Sequence, residues 1–167
     1  SNAGDALTTA SQNTALGYGA LGAETTGNYN TAIGYSSLSG QNAAADVYNT
    51  AVGWNTGNAM STGANNTIIG ASAGSSLTTG SRNIAIGYTA LVACAGSDAE
   101  QANVAVGREA GYGIVTGRFN ICVGNKTMQN AAHADTDYNV AIGHTAMKGG
   151  TDAGFQYNVA VGSAALA

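Results

Sequence analysis

The chain has 167 residues, a formal net charge of −4 and only 8% charged residues, so it offers no basic surface to nucleic acid or to an anionic membrane. No apolar run reaches the length of a membrane span and no secretory leader is recognisable, which argues against membrane insertion. Twenty-five glycines and no proline would suit disorder, but 44% apolar content in strict periodicity argues for packed order, with Gly, Asn, Ser and Asp making the turns.

Ser1-Asn2-Ala3 reads as the remnant of an expression tag, and residues 4–12 form an N-terminal lead-in. From 13 to 167 one phrase recurs nine times: Asn, a β-branched residue, a small residue, a larger aliphatic, then Gly. The copies open at Asn13, Asn30, Asn49, Asn66, Asn83, Asn103, Asn120, Asn139 and Asn158, at spacings of 17, 19, 17, 17, 20, 17, 19 and 19. They close at Gly17, Gly34, Gly53, Gly70, Gly87, Gly107, Gly124, Gly143 and Gly162. A phrase of this period marks a solenoid, whose units bury their apolar faces by stacking on one another. The predicted fold is an all-β solenoid of about nine coils, elongated, and a piece of a longer fibre protein.

Within each copy the second and fourth slots share one face of a strand and the third points the other way. The fourth slot is aliphatic throughout, from Leu16 and Ile33 to Val161, and is predicted to be the core stack. The third is Ala apart from Ile68 and Cys122, so something approaches that face closely, either the opposite wall of the coil or another chain. The invariant Gly predicts a corner with positive φ or no room for a Cβ. The invariant Asn predicts a structural ladder, each amide bonding its equivalents above and below while its backbone tolerates a left-handed turn. Beyond the Gly, six copies place a large aliphatic at the ninth slot, and three place Gly there with the apolar residue three positions on, at Met60, Leu77 and Ile114. The 17-residue spacings end in Thr-Gly; the longer ones carry acids such as Asp46, Asp98, Glu100, Asp135, Asp137 and Asp152, which are predicted to bulge outward.

Catalytic chemistry finds no footing. No nucleophile elbow, phosphate loop or metal-ligand spacing is present, and His133 and His144 lie in unrelated contexts. The chain is therefore predicted to be no enzyme, with no cofactor and no metal. Acid pairs such as Asp135 with Asp137, or Asp98 with Glu100, suit solvation of outward loops better than glycan cleavage or Ca²⁺ binding. Cys122 fills a small-residue slot and is predicted to be a buried thiol; Cys94 lies outside the phrase, and a Cys94–Cys122 disulfide is the minority reading. Aromatics are more informative. Tyr18, Tyr35, Trp54 and Tyr88 directly follow the phrase Gly, while Tyr29, Tyr48, Phe119, Tyr138 and Tyr157 directly precede the phrase Asn. Such columns suit stacked ladders. The first set is also the candidate for contact with a glycan or protein receptor.

Phrases such as Asn30-Thr31-Ala32-Ile33-Gly34-Tyr35 and Asn49-Thr50-Ala51-Val52-Gly53-Trp54 resemble the repetitive regions of bacteriophage tail fibres, and more distantly the head repeats of trimeric autotransporter adhesins. The resemblance spans roughly residues 10–167. It implies a parallel β-roll or β-helix assembled as a homotrimer about the long axis, located in a virion and serving as a structural or receptor-binding rod that attaches to a cell-surface glycan or protein. The alternative is the head of a bacterial adhesin displayed at the cell surface.

Overall fold

The structure, a computed structural model, describes residues 2–94, 100–131, 136–149 and 156–167. Nine three-residue strands, one per phrase, form a single parallel sheet in chain order. They are β1 (Thr14–Leu16), β2 (Thr31–Ile33), β3 (Thr50–Val52), β4 (Thr67–Ile69), β5 (Ile84–Ile86), β6 (Val104–Val106), β7 (Ile121–Val123), β8 (Val140–Ile142) and β9 (Val159–Val161). Each pairs slot for slot with the next, as in Thr31↔Thr50, Ala32↔Ala51 and Ile33↔Val52. The described residues contain no helix, so the predicted β-solenoid is the architecture.

The Asn ladder holds the rungs in register. The Asn66 backbone N–H donates to Asn49 Oδ1 at 2.9 Å, and Asn66 Nδ2 donates to the same oxygen at 3.1 Å and to the Gly80 carbonyl at 3.0 Å. These amides are buried, so their pairing offsets a desolvation cost that an unpaired amide would carry in full. The left-handed turn falls elsewhere than predicted: it belongs to the residue before the Asn, as in Tyr29 (φ 63°), Tyr48 (φ 52°) and Phe119 (φ 58°). Two further columns repeat that conformation in each coil, exemplified by Ser36 (φ 52°) and Leu38 (φ 50°). Single left-handed residues therefore fold the ribbon at fixed points. Both reasons for the invariant Gly hold. Gly70 has φ 122°, and a Cβ there would stand 2.7 Å from the carbonyl oxygen of Gly87 in the next rung.

The core lies on the opposite face from the one predicted. The Ala column points inward, fully buried from Ala32 to Ala141, whereas the fourth slot faces out, with Leu16 64% and Ile142 39% exposed. Alternation along the strand correctly pairs slots two and four against three, but cannot say which face is inside. Cross-section decides it. A coil this short has a narrow interior, and Leu21, Leu38, Leu91, Met128 and Met147 from the ninth slot already fill it, so only a methyl fits opposite.

The two kinds of repeat solve one packing problem in two ways. Where the ninth slot is Gly57, Gly74 or Gly111, the buried side chain comes from Met60, Leu77 or Ile114. A Cβ at Gly57 or Gly74 would stand 3.2 or 3.3 Å from Ile68 Cδ1, which is why the one large third-slot residue sits between these glycines. In the other repeats the twelfth slot holds smaller or polar groups, including Glu24, Gln41 and Cys94. The lead-in joins the same scheme. Gly4 N–H donates to the Ala20 carbonyl at 2.8 Å and Thr8 N–H to that of Thr25 at 3.0 Å, so coiling begins before the first phrase.

In the 19-residue spacing after Asn30, residues 44–46 are exposed, as expected of an outward loop. Isolated bridges Asn28↔Asp46, Ser81↔Glu100 and Asp137↔Gln156 return the chain to the ladder after the longer segments. Asp98, His133, Asp135 and Asp152 lie outside the described residues.

Candidate binding surface

The outward face of the sheet is a strip made by the second and fourth slots. In β5–β9 both slots are aliphatic, and Ile84, Ile121, Ile142, Val159 and Val161 are 38–69% exposed. In β1–β4 the second slot is Thr14, Thr31, Thr50 and Thr67, which interrupts the apolar character with hydroxyls. Nine rungs at about 4.8 Å and three residues at about 3.3 Å give a strip near 40 Å long and 10 Å wide, or about 400 Å². Its fully aliphatic part, the five rungs β5–β9, covers about 240 Å² by the same spacings, a contiguous exposed apolar patch and hence a candidate interaction surface.

Aromatic columns border the strip on both sides. On the Gly side Tyr18 and Tyr35 stack with centroids 5.5 Å apart and planes at 14°, and Tyr35 continues to Trp54 at 6.5 Å and 16°. On the Asn side Tyr29 stacks on Tyr48 at 4.7 Å, and Phe119, Tyr138 and Tyr157 stack at 5.0 and 5.1 Å. The Tyr48 hydroxyl donates to Asp46 Oδ2 at 3.4 Å; desolvation and then the Asp46 carboxylate raise the phenol pKa. Because each ring's faces cover its neighbours, the ladders present edges rather than faces to solvent. Of the four candidate contact residues, Tyr18, Tyr35 and Trp54 thus form one unit. Tyr88 stands apart, two rungs beyond Trp54, with Ala71 between them.

The remaining polar groups serve the fold or lie on its surface. Glu24 is fully buried, a role sequence reasoning missed: its Oε1 accepts from the backbone N–H of Thr25, Thr26 and Gly27 at 3.0, 3.2 and 2.7 Å, and its Oε2 from Ala43 N–H at 3.3 Å. Aligning the twelfth slots, Glu24 with Gln41 and Met60, would have flagged it as interior. Cys94 and Cys122 are buried free thiols, so the disulfide is not formed. The Cys94 thiol donates to Gln101 Oε1 at 3.2 Å, and Cys122 packs on Met128 Sδ at 3.2 Å. Burial pushes Cys94 up to about 12 and Cys122 higher still, the opposite of what a reactive cysteine needs. Glu100 pairs with Arg82 on the exposed surface, and Asp137 Oδ1 accepts from Arg118 N–H at 2.9 Å. Among the described residues no three His, Cys, Asp or Glu side chains gather as metal ligands, and no helix is long and apolar enough to cross a membrane. His144 is exposed in the column that carries Tyr18.

Comparison with protein-family models, with curated proteins and with solved structures returns no match.

Proposed function

We propose that this chain is a non-enzymatic rod segment of a phage tail fibre, assembled as a homotrimer and supporting attachment to a bacterial surface. The observation that carries the reading is the outward sheet face, where an aliphatic fourth-slot column runs the length of the solenoid, is doubled in β5–β9, and is bordered in places by aromatic ladders. Its burial against two further copies would remove apolar area from water at about 25 cal/mol per Å². It would also leave the polar loops facing outward. The continuous hydrogen-bonded sheet makes each chain stiff, and three parallel copies would multiply weak surface contacts by avidity.

Light scattering tests the assembly: the expected mass is about three times the 16.4 kDa of one chain, and a monomer at all concentrations overturns it. Attachment is tested by binding of labelled protein to bacterial cells before and after enzymatic removal of surface glycan. Binding confined to animal cells would favour the adhesin head instead.

A further inference from the structure

The aromatic ladder on the Gly side is missing one ring. Its column runs Tyr18, Tyr35, Trp54, Ala71, Tyr88 on consecutive rungs, and the backbone keeps that order in register. Ser72 N–H donates to the Trp54 carbonyl at 2.9 Å, and Thr89 N–H to the Ala71 carbonyl at 3.1 Å. Trp54 and Tyr88 are therefore held two rungs apart, about 9.6 Å at the usual strand spacing, with a methyl group where the stack would place a ring. Trp54 is 57% and Tyr88 56% exposed, so the gap opens to solvent. Trp54 stacks on Tyr35 through one face, so its other face is turned to the gap.

We propose that the gap over Ala71 is a binding slot for a single neutral pyranose ring, clamped between Trp54 and Tyr88. This rests on the reading of the rod as a surface-binding fibre and names the subsite through which it would engage a glycan. A two-rung opening leaves each ring about 4.8 Å from the centre of an inserted group, within the range at which rings pair face to face. A pyranose chair is puckered and carries C–H groups on both faces, so it reaches both walls at that separation while its hydroxyls project from the rim towards solvent and polar neighbours. Asn55 and Ser72, one position along the chain from Trp54 and Ala71, supply an amide and a hydroxyl suited to ring hydroxyls. The net charge of −4 disfavours a polyanionic ligand such as nucleic acid.

Trp54 is the chain's single tryptophan, so the slot carries its own reporter. The probes are the methyl glycosides of glucose, galactose and N-acetylglucosamine, titrated into the intact protein while Trp54 emission is followed. The expected result is a saturable change with at least one of them in the millimolar range. Ala71→Tyr completes the ladder and should abolish it, as should Tyr88→Ala, whereas Tyr18→Ala should leave it intact. Ala71 has no left-handed backbone, so the Tyr that its column neighbours carry is accommodated, and an unchanged melting transition verifies folding. Absence of saturation with every glycoside overturns the slot, as does a response surviving Ala71→Tyr; a response to p-cresol but to no glycoside overturns the pyranose assignment. Cell binding that persists in Ala71→Tyr defeats the slot but not the fibre reading. Glycoside binding by a monomer defeats the trimeric rod but not the slot.

Discussion

The first four rungs and the last five share a backbone and an interior but differ in what they turn outward. β1–β4 alternate Thr with an aliphatic on the exposed face and carry the ladder Tyr18–Tyr35–Trp54 on the Gly side. β5–β9 are aliphatic at both outward slots and carry Phe119–Tyr138–Tyr157 on the Asn side. Inside, the buried third-slot column, Ala but for Ile68 and Cys122, passes through both halves with the Asn ladder and the Gly corners. The rungs are thus coupled through their interior columns, while each outer face is free to specialise. The apolar half suits packing against other copies, and the half with hydroxyls, whose ladder ends at the gap it shares with Tyr88 of the fifth rung, suits a ligand.

Disrupting the shared frame should have the greatest effect, and its size should depend on whether a further rung lies above. Gly87 has φ 135°, and a Cβ there would overlap the carbonyl of Gly107. Gly87→Val should cost more than about 3 kcal/mol by combining backbone strain with a clash between rungs. Gly162 has a similar φ of 128°, but its nearest contact would be Ala165 Cβ at 4.0 Å. Gly162→Val should then cost only the conformational part, about 1–3 kcal/mol. Urea unfolding of the two variants separates strain from stacking; equal losses would mean that the rung above contributes nothing.

A charge on the outer strip separates the halves directly. Ile121 is 40% exposed and borders Val104 and Val140 in the sheet, so Ile121→Asp should leave the chain folded yet prevent the proposed trimer, in which three carboxylates would be buried together. Thr50→Asp sits in the polar half and should weaken association far less. Mass by light scattering and melting by circular dichroism read the two effects independently. Equal loss of assembly from both variants would show that the strip acts as one surface.

A smaller effect is expected at Glu24, whose carboxylate accepts four backbone N–H groups inside the coil. Glu24→Gln keeps the shape but replaces one acceptor with an NH₂ that faces donors. A loss of about 1–3 kcal/mol should follow, the cost of leaving buried donors unmet. It should appear as early melting confined to the first coils, detectable by hydrogen exchange at Gly27 and Ala43.

The architecture was legible because its signal is repetition, which needs no knowledge of side-chain packing. The Asn ladder, the Gly corners, the aromatic stacks and the buried Cys122 follow from like residues placed over like. What the period could not reveal was polarity of the sheet. Alternation groups Ile33 with Thr31 against Ala32 whichever way the coil closes, and an aliphatic column looks like a core whether it faces its own chain or another. The discriminating clue lay outside the phrase, in Leu21, Leu38 and Met60, whose bulk leaves the interior room only for a methyl. The left-handed turns at Tyr29 and Phe119 were hidden because such residues rarely adopt them, and register with neighbouring rungs imposes what propensity opposes. The gap at Ala71 becomes visible as a site once the column is known to stack.

Cys94 occupies the same interior column as Glu24, and the comparison gives the gentlest test of the frame. There the coil encloses a thiol rather than a carboxylate, and burial holds its pKa near 12 against an ordinary 9.0. Iodoacetamide at about pH 8 should therefore modify neither Cys94 nor Cys122 in the folded protein, and both in urea. The sign of the pH dependence follows from the raised value. Below 9.0 the thiol is protonated in both states and its burial carries no ionisation cost; as pH climbs from 9.0 towards 12 the unfolded chain ionises first, and stability falls progressively. Unfolding followed across that window should show a decline in the parent protein that is reduced in Cys94→Ala and Cys122→Ala. Rapid labelling of Cys94 under native conditions would mean that the coils open locally around it, and that the interior column is less continuous than the stacked rungs require.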